Sequence, residues 1–143
     1  MTQSIPRARV AHVITMLELG GAQQNTLHTV QNLDRDRFDV SLMCGRGGIL
    51  DDRASALAAT QTYFIDDLVR PLDPRRDVAA VATLTGLMRK ERPHIVHTHS
   101  SKAGILGRLA AAAAAVPIII HSIHGFGFTP AQSPLMRAAF LSA

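Results

Sequence analysis

The 143 residues carry a net charge of +4, with 47% hydrophobic and 4% aromatic side chains. That composition excludes a disordered chain and suits one aliphatic α/β domain with a real core. One cysteine, Cys44, excludes an internal disulfide and fits a reducing compartment.

The distribution of charge says more than its sum. Every carboxylate lies at or before Glu91, whereas Arg92, Lys102, Arg108 and Arg137 follow with no acid among them. That bias favours anionic ligands or peripheral contact with an anionic membrane. Nucleic acid is not expected as a partner, because the cations are sparse and not interleaved with aromatics. The near-apolar run 109–120 is broken by Pro117 and too short to span a bilayer. The apolar run at 10–17 lacks a following cleavage site, so a cytoplasmic protein is expected.

Strand-like runs at 9–16, 38–43, 61–65, 94–98 and 117–122 alternate with helical patterns. The alternation predicts βαβ units: a Rossmann-like, three-layer α/β/α fold around a mostly parallel sheet. The first strand is apolar on both faces, as a central parallel strand should be, and His12 within it reads as a core histidine with a hydrogen-bond partner. Its carboxyl end leads through Glu18 to Gly20, Gly21 and Ala22. A helix then turns Leu27, Val30 and Leu33 inward.

The second strand ends in a flexible glycine turn at 45–48, after which Asp51 and Asp52 open a short helix and suit its positive end. Cys44 reads as a small buried apolar residue. A proline-punctuated loop precedes a helix expected to start at Asp77 and to bury Val78, Val81, Leu84 and Met88. The fourth strand ends in His97, Thr98 and His99. Ser100 or Ser101 is expected to cap the next helix through its side-chain oxygen. Ile105, Leu106, Leu109 and Ala113 form the expected apolar face of that helix. A buried strand at 117–122, an irregular loop through Phe126 and Phe128, and a last helix opened by Ser133 and Pro134 complete the reading.

Three places could carry chemistry. Gly20 and Gly21 end a strand and open a helix, where free amides attract an anion. A nicotinamide dinucleotide site fits poorly, since the G-x-G-x-x-G spacing is absent and Cys44-Gly45 stands where a ribose-binding acid belongs. His94, His97, His99, His121 and His124 form the second group. His97 and His99 share a strand face, so chelation is geometrically open, but no carboxylate accompanies them and no metal is expected. His99 and His124 lie close enough to strand ends to face a cleft. The third place is the stretch 121–126, where Gly125 allows close approach of a substrate, while Ser122 beside His124 lacks an acid to complete a nucleophilic pair.

Taken together, VITMLELGGAQQNTL, RPHIVHTHSSKAGILGRLAA and VPIIIHSIHGFGF resemble the amino-terminal half of a family 4 glycosyltransferase, a retaining enzyme built from two Rossmann-like domains in the GT-B architecture. The resemblance implies that residues 1–143 form an acceptor-side domain, truncated at its carboxyl-terminal end, with the nucleotide-sugar domain absent. It implies that Gly20, Gly21 and Ala22 lie against the donor diphosphate, and that His124, with Gly125, serves the reacting centre. His99, Ser100, Ser101 and Lys102 are added as cleft residues from their place in the turn, and Lys102 and Arg137 as contacts for an anionic acceptor.

The implied activity is hexosyl transfer from a UDP- or GDP-linked sugar to a sugar or lipid-linked acceptor in cell-surface polysaccharide or glycolipid assembly. It needs no cofactor beyond that substrate. A fragment lacking the second domain is expected to be inactive by itself. The rivals are a non-catalytic nucleotide- or carbohydrate-binding module, a nucleotide-sugar epimerase half and an NAD-dependent oxidoreductase.

Overall fold

The computed structural model describes residues 6–125. In chain order it contains β1 (Ala8–Met16), α1 (Gly21–Asn32), β2 (Phe38–Gly45), α2 (Asp51–Ser55), β3 (Thr60–Ile65), α3 (Pro74–Glu91), β4 (Ile95–His99), α4 (Ser101–Ala113) and β5 (Ile118–Ser122). All strand pairs are parallel, in the order β3-β2-β1-β4-β5. The expected last helix, with Arg137, Phe126 and Phe128, lies outside the described residues.

The central strand feeds two cores because successive side chains point to opposite faces. Ala11 and Val13 pack with Met43 and Val96 under Leu84 and Met88 of α3 and Leu106 and Ala110 of α4. Ile14 packs on the other face with Leu42 and Cys44 under Leu27 and Val30 of α1 and Ala54 of α2. Leu33 sits half-buried beside them, and burial pushes the Cys44 thiol up to about 12. Helices change face between β1 and β4, so the order of the sheet reverses direction at that pair.

Four local expectations change. Helix α3 begins earlier than Asp77: Asp73 caps it, accepting from the Arg75 and Arg76 amides at 3.1 and 3.2 Å, and Pro74 occupies the first turn. Its buried stripe is Ala80, Leu84 and Met88. Val78, about 200° around the helix from Ala80, is 71% exposed.

In α4 the sheet-facing side is made by small residues: Ala103, Gly104, Gly107, Ala110 and Ala111, with Leu106, while Leu109 is 58% exposed. A Cβ at Gly107 would stand 2.7 Å from Thr98 Cγ2, and one at Gly104 2.5 Å from His121 Cε1. Close approach of helix to strand, not aliphatic bulk, sets this interface. Strand β5, expected to be buried, is the edge of the described sheet, and Ile118, Ile119 and Ile120 are partly exposed. The glycine turn after β2 is tied down rather than free: Asp51 Oδ2 accepts from the amides of Gly47 and Gly48 at 2.8 and 3.2 Å.

Candidate functional site

The carboxyl ends of β1, β4 and β5 meet where the helices change face, and open α/β sheets bind ligands in the crevice outside such a point. A bond network joins the two central strands there. Thr15 Oγ1 lies 2.8 Å from Ser100 Oγ and accepts from the Ala103 amide at 3.1 Å. The cap of α4 therefore comes from β1, and neither Ser100 nor Ser101 supplies it. The reason is conformational. Ser100 has φ 66° and ψ 155°, a region almost reserved for glycine, which turns its hydroxyl toward Thr15 and away from its own helix. Such backbone strain persists where the surrounding structure holds it in place.

The amino terminus of α1 opens on the same edge. Gly20 precedes it with an extended backbone (φ −160°), and among the described residues no side chain caps the first turn. A Cβ at Gly21 would meet nothing within 4 Å, and one at Gly20 would meet the movable end of the Gln23 side chain, Oε1 at 2.5 Å. Neither glycine is demanded by the fold. Ala22 lies within the first turn, its carbonyl accepting from Thr26 Oγ1 at 2.8 Å. Glu18, at the end of β1, is ion-paired with Arg70.

The histidines divide by register and face. His12 of β1 lies opposite His97 of β4, and Ile14 opposite His99, so three imidazoles share the α1 side of the sheet. His12 Nδ1 lies 3.0 Å from His99 Nε2, and His99 Nδ1 lies 2.9 Å from His124 Nε2. His12 and His99 are each 1% exposed, whereas His124 is exposed. His99 is thus interior; it reaches the surface through His124. Gly125 follows at φ 148°, a backbone only glycine adopts without strain.

His97 Nε2 lies 2.7 Å from Ser122 Oγ, so Ser122 is engaged by His97 and not by His124. His121 is on the opposite face, 3.0 Å from Thr98 Oγ1. His94 is at the far end of β4, where its Nδ1 accepts from the Arg9 amide at 2.9 Å. His12, read from the sequence only as a core histidine, belongs to the cluster. Its signal was the in-register pairing of β1 with β4, which spacing along the chain does not reveal.

Burial drives the His12 pKa down to about 3 and the His99 pKa down to about 2, with neighbouring histidines adding to both shifts. Burial, then His124 and His121, lowers that of His97 as well. Neutral imidazoles are also metal ligands, and His12, His97 and His99 bring ring nitrogens within 4.8 Å of one another. The donor set has nitrogen alone, and two of its rings already hydrogen-bond each other.

Ser101 is exposed on the first turn of α4. Lys102 has turned toward α3, where its ammonium pairs with Asp77 Oδ1 at 2.5 Å and donates to the Pro71 carbonyl. Its charge is therefore compensated within the domain. Two cavities of about 380 and 230 Å³ lie at the opposite, amino-terminal edge of the sheet, around Arg9, Pro93 and Glu91; His94 lines the first, and the groups at the carboxyl edge line neither. No described helix is long and apolar enough to cross a membrane.

A parallel sheet with helices on both faces, a glycine-opened helix end and a histidine at its carboxyl edge is a Rossmann-like α/β arrangement. The chain belongs to the glycosyl transferase 4-like family, whose model matches residues 20–143. It is 38% identical over 140 residues to the UDP-Gal:alpha-D-GlcNAc-diphosphoundecaprenol alpha-1,3-galactosyltransferase of Escherichia coli, an alignment covering 98% of this chain and 36% of that one. The chain thus spans little more than a third of the curated relative. Its fold is shared with MurG of Acinetobacter baumannii (TM-score 0.66, 17% identity, 94% of this chain and 39% of that one). It is shared equally with a glycosyltransferase of Rickettsia africae (TM-score 0.68, 16% identity, 89% and 32%).

Proposed function

We propose that this chain is the acceptor-side wall of a retaining glycosyltransferase. In this reading a second Rossmann-like domain brings a UDP- or GDP-linked hexose to the crevice, and the acceptor is a lipid-linked sugar at the cytoplasmic face of a membrane. The product would enter cell-surface polysaccharide or glycolipid assembly. Support for the substrate class comes from the Escherichia coli relative, whose name specifies UDP-galactose and a diphosphoundecaprenol-linked N-acetylglucosamine.

The observation that carries the reading is the pairing, on one sheet edge, of the uncapped α1 terminus with His124. When the anomeric carbon–oxygen bond breaks, negative charge collects on the departing diphosphate. Amide dipoles already aimed at that charge stabilise it without reorganising. Gly20 and Gly21 let the diphosphate approach those amides, and His124 contacts the sugar or the incoming hydroxyl. Donors from the facing domain complete the stabilisation, so residues 1–143 alone are expected to turn over no donor. The reading asks for no cofactor beyond the nucleotide-sugar.

The test is a transfer assay with the polypeptide joined to its second domain. A panel of UDP- and GDP-sugars is offered with a polyprenyl-diphosphate-linked N-acetylglucosamine, UDP-galactose first. The expected result is a disaccharide whose new linkage keeps the donor's anomeric configuration. Inversion, absence of transfer from every donor, or robust turnover by residues 1–143 alone would each contradict it.

A further inference from the structure

Two ring–ring contacts tie the tautomer of His99 to those of His12 and His124. A neutral imidazole carries one N–H and one lone pair. His99 uses both nitrogens on other imidazoles, so it must donate through one and accept through the other. The chain His12–His99–His124 therefore has a single direction, and only two arrangements satisfy it.

In the first, His12 Nδ1–H donates to His99 Nε2, and His99 Nδ1–H donates to His124 Nε2. In the second, both bonds reverse, and the His12 proton moves to Nε2. Nε2 of His12 is buried and has no hydrogen-bond partner among the described residues. The second arrangement would thus bury an orphan N–H, which folded proteins almost never do, whereas the first leaves only a bare lone pair. The burial that keeps His12 and His99 neutral also keeps either arrangement from being short-circuited by an extra proton.

We propose that His12 and His99 are positioning residues that fix His124 in the Nδ1–H tautomer, so that His124 meets its ligand as a hydrogen-bond donor. With Nε2 filled by the His99 N–H and Nδ1 protonated, neutral His124 has no free lone pair. It cannot act as the base that takes the acceptor hydroxyl's proton. Its ligand atom must be an acceptor: a sugar hydroxyl oxygen or a phosphate oxygen. The tautomer assignment stands on this geometry alone; its catalytic meaning rests on the reading above that His124 lines the reacting centre.

The experiment is a long-range 15N–1H correlation spectrum of the histidine rings in the 143-residue chain at neutral pH. The expected spectrum shows His124 Nδ1 as the protonated nitrogen and Nε2 as the bare one, the reverse of the tautomer free imidazole side chains favour. In His99→Phe, His124 should shift to Nε2–H, while the remaining backbone amide fingerprint keeps its dispersion. Should that variant not fold, the wild-type spectrum decides alone, and His12→Phe serves as second variant, with a mixed His124 tautomer expected.

An Nε2–H tautomer of His124 in the wild type overturns the proposal. So does a His124 spectrum unchanged in a folded His99→Phe chain, or stoichiometric Zn²⁺ uptake that displaces the His12–His99 bond. None of these outcomes depends on transferase activity. A His124→Ala enzyme that still transfers sugar would refute the catalytic reading and leave the spectrum as it is.

Discussion

Gly21 is the position at which a role in ligand binding can be told from a role in the fold. Its Cβ position is open and it lies within the first turn of α1. Alanine there should leave stability unchanged or raise it by up to about 1 kcal/mol, as a helical Gly→Ala change does. In the proposed site the same methyl would crowd the donor diphosphate, so KM for the nucleotide-sugar should rise about tenfold in the joined enzyme. Thermal melts and donor titrations give the two numbers, and a loss of stability with unchanged KM would make the glycine structural.

His99 and His12 carry the complementary lesson at residue scale. Their folded pKa values lie below the ordinary histidine value, so the unfolded chain binds protons that the folded one refuses. Stability is therefore full above about pH 6.5, where both states are neutral, and falls as pH drops from there toward 3. Each histidine contributes a slope of up to about 1.4 kcal/mol per pH unit in that window. Urea unfolding at pH 7, 6 and 5 should show this decline. A flat profile, or one that rises toward acid, contradicts the burial of these rings as neutral groups.

At the scale of elements, β1 and β4 act as one unit through Thr15. Its hydroxyl caps α4 and holds the strained Ser100 turn. Thr15→Val keeps the shape and removes both bonds, and should cost about 1–2 kcal/mol, the range of a lost helix cap. Equilibrium denaturation measures it, and a loss below about 0.3 kcal/mol would show that the cap is not needed.

Much of the element pattern was legible in the sequence. Strand-like runs marked all five strands, and Asp77 with Arg89 and Lys90 marked the charged ends of α3. What escaped depends on contacts between distant segments. Val78 looked like a core residue until the helix phase was set by Ala80, Leu84 and Met88, and the apolar face of α4 proved to be small residues shaped by Thr98. The histidine chain escaped for the same reason: residues 87 and 25 positions apart meet only once the strand register is known.

At the scale of the whole molecule, the candidate groups gather at one edge of the sheet. The sheet reverses direction between β1 and β4, and the uncapped α1 terminus, the Thr15–Ser100 junction and His124 all lie at that carboxyl edge. The sequence resemblance anticipated the family and the fold, and both are shown. The most direct measurement of the central claim is the steady-state kinetics of His124→Ala in the enzyme completed by its second domain. The account predicts a fall in kcat of about 100-fold, the scale of losing one aligned donor, with an unchanged melting midpoint. A kcat within about twofold of the parent, in a variant equally stable, would contradict it.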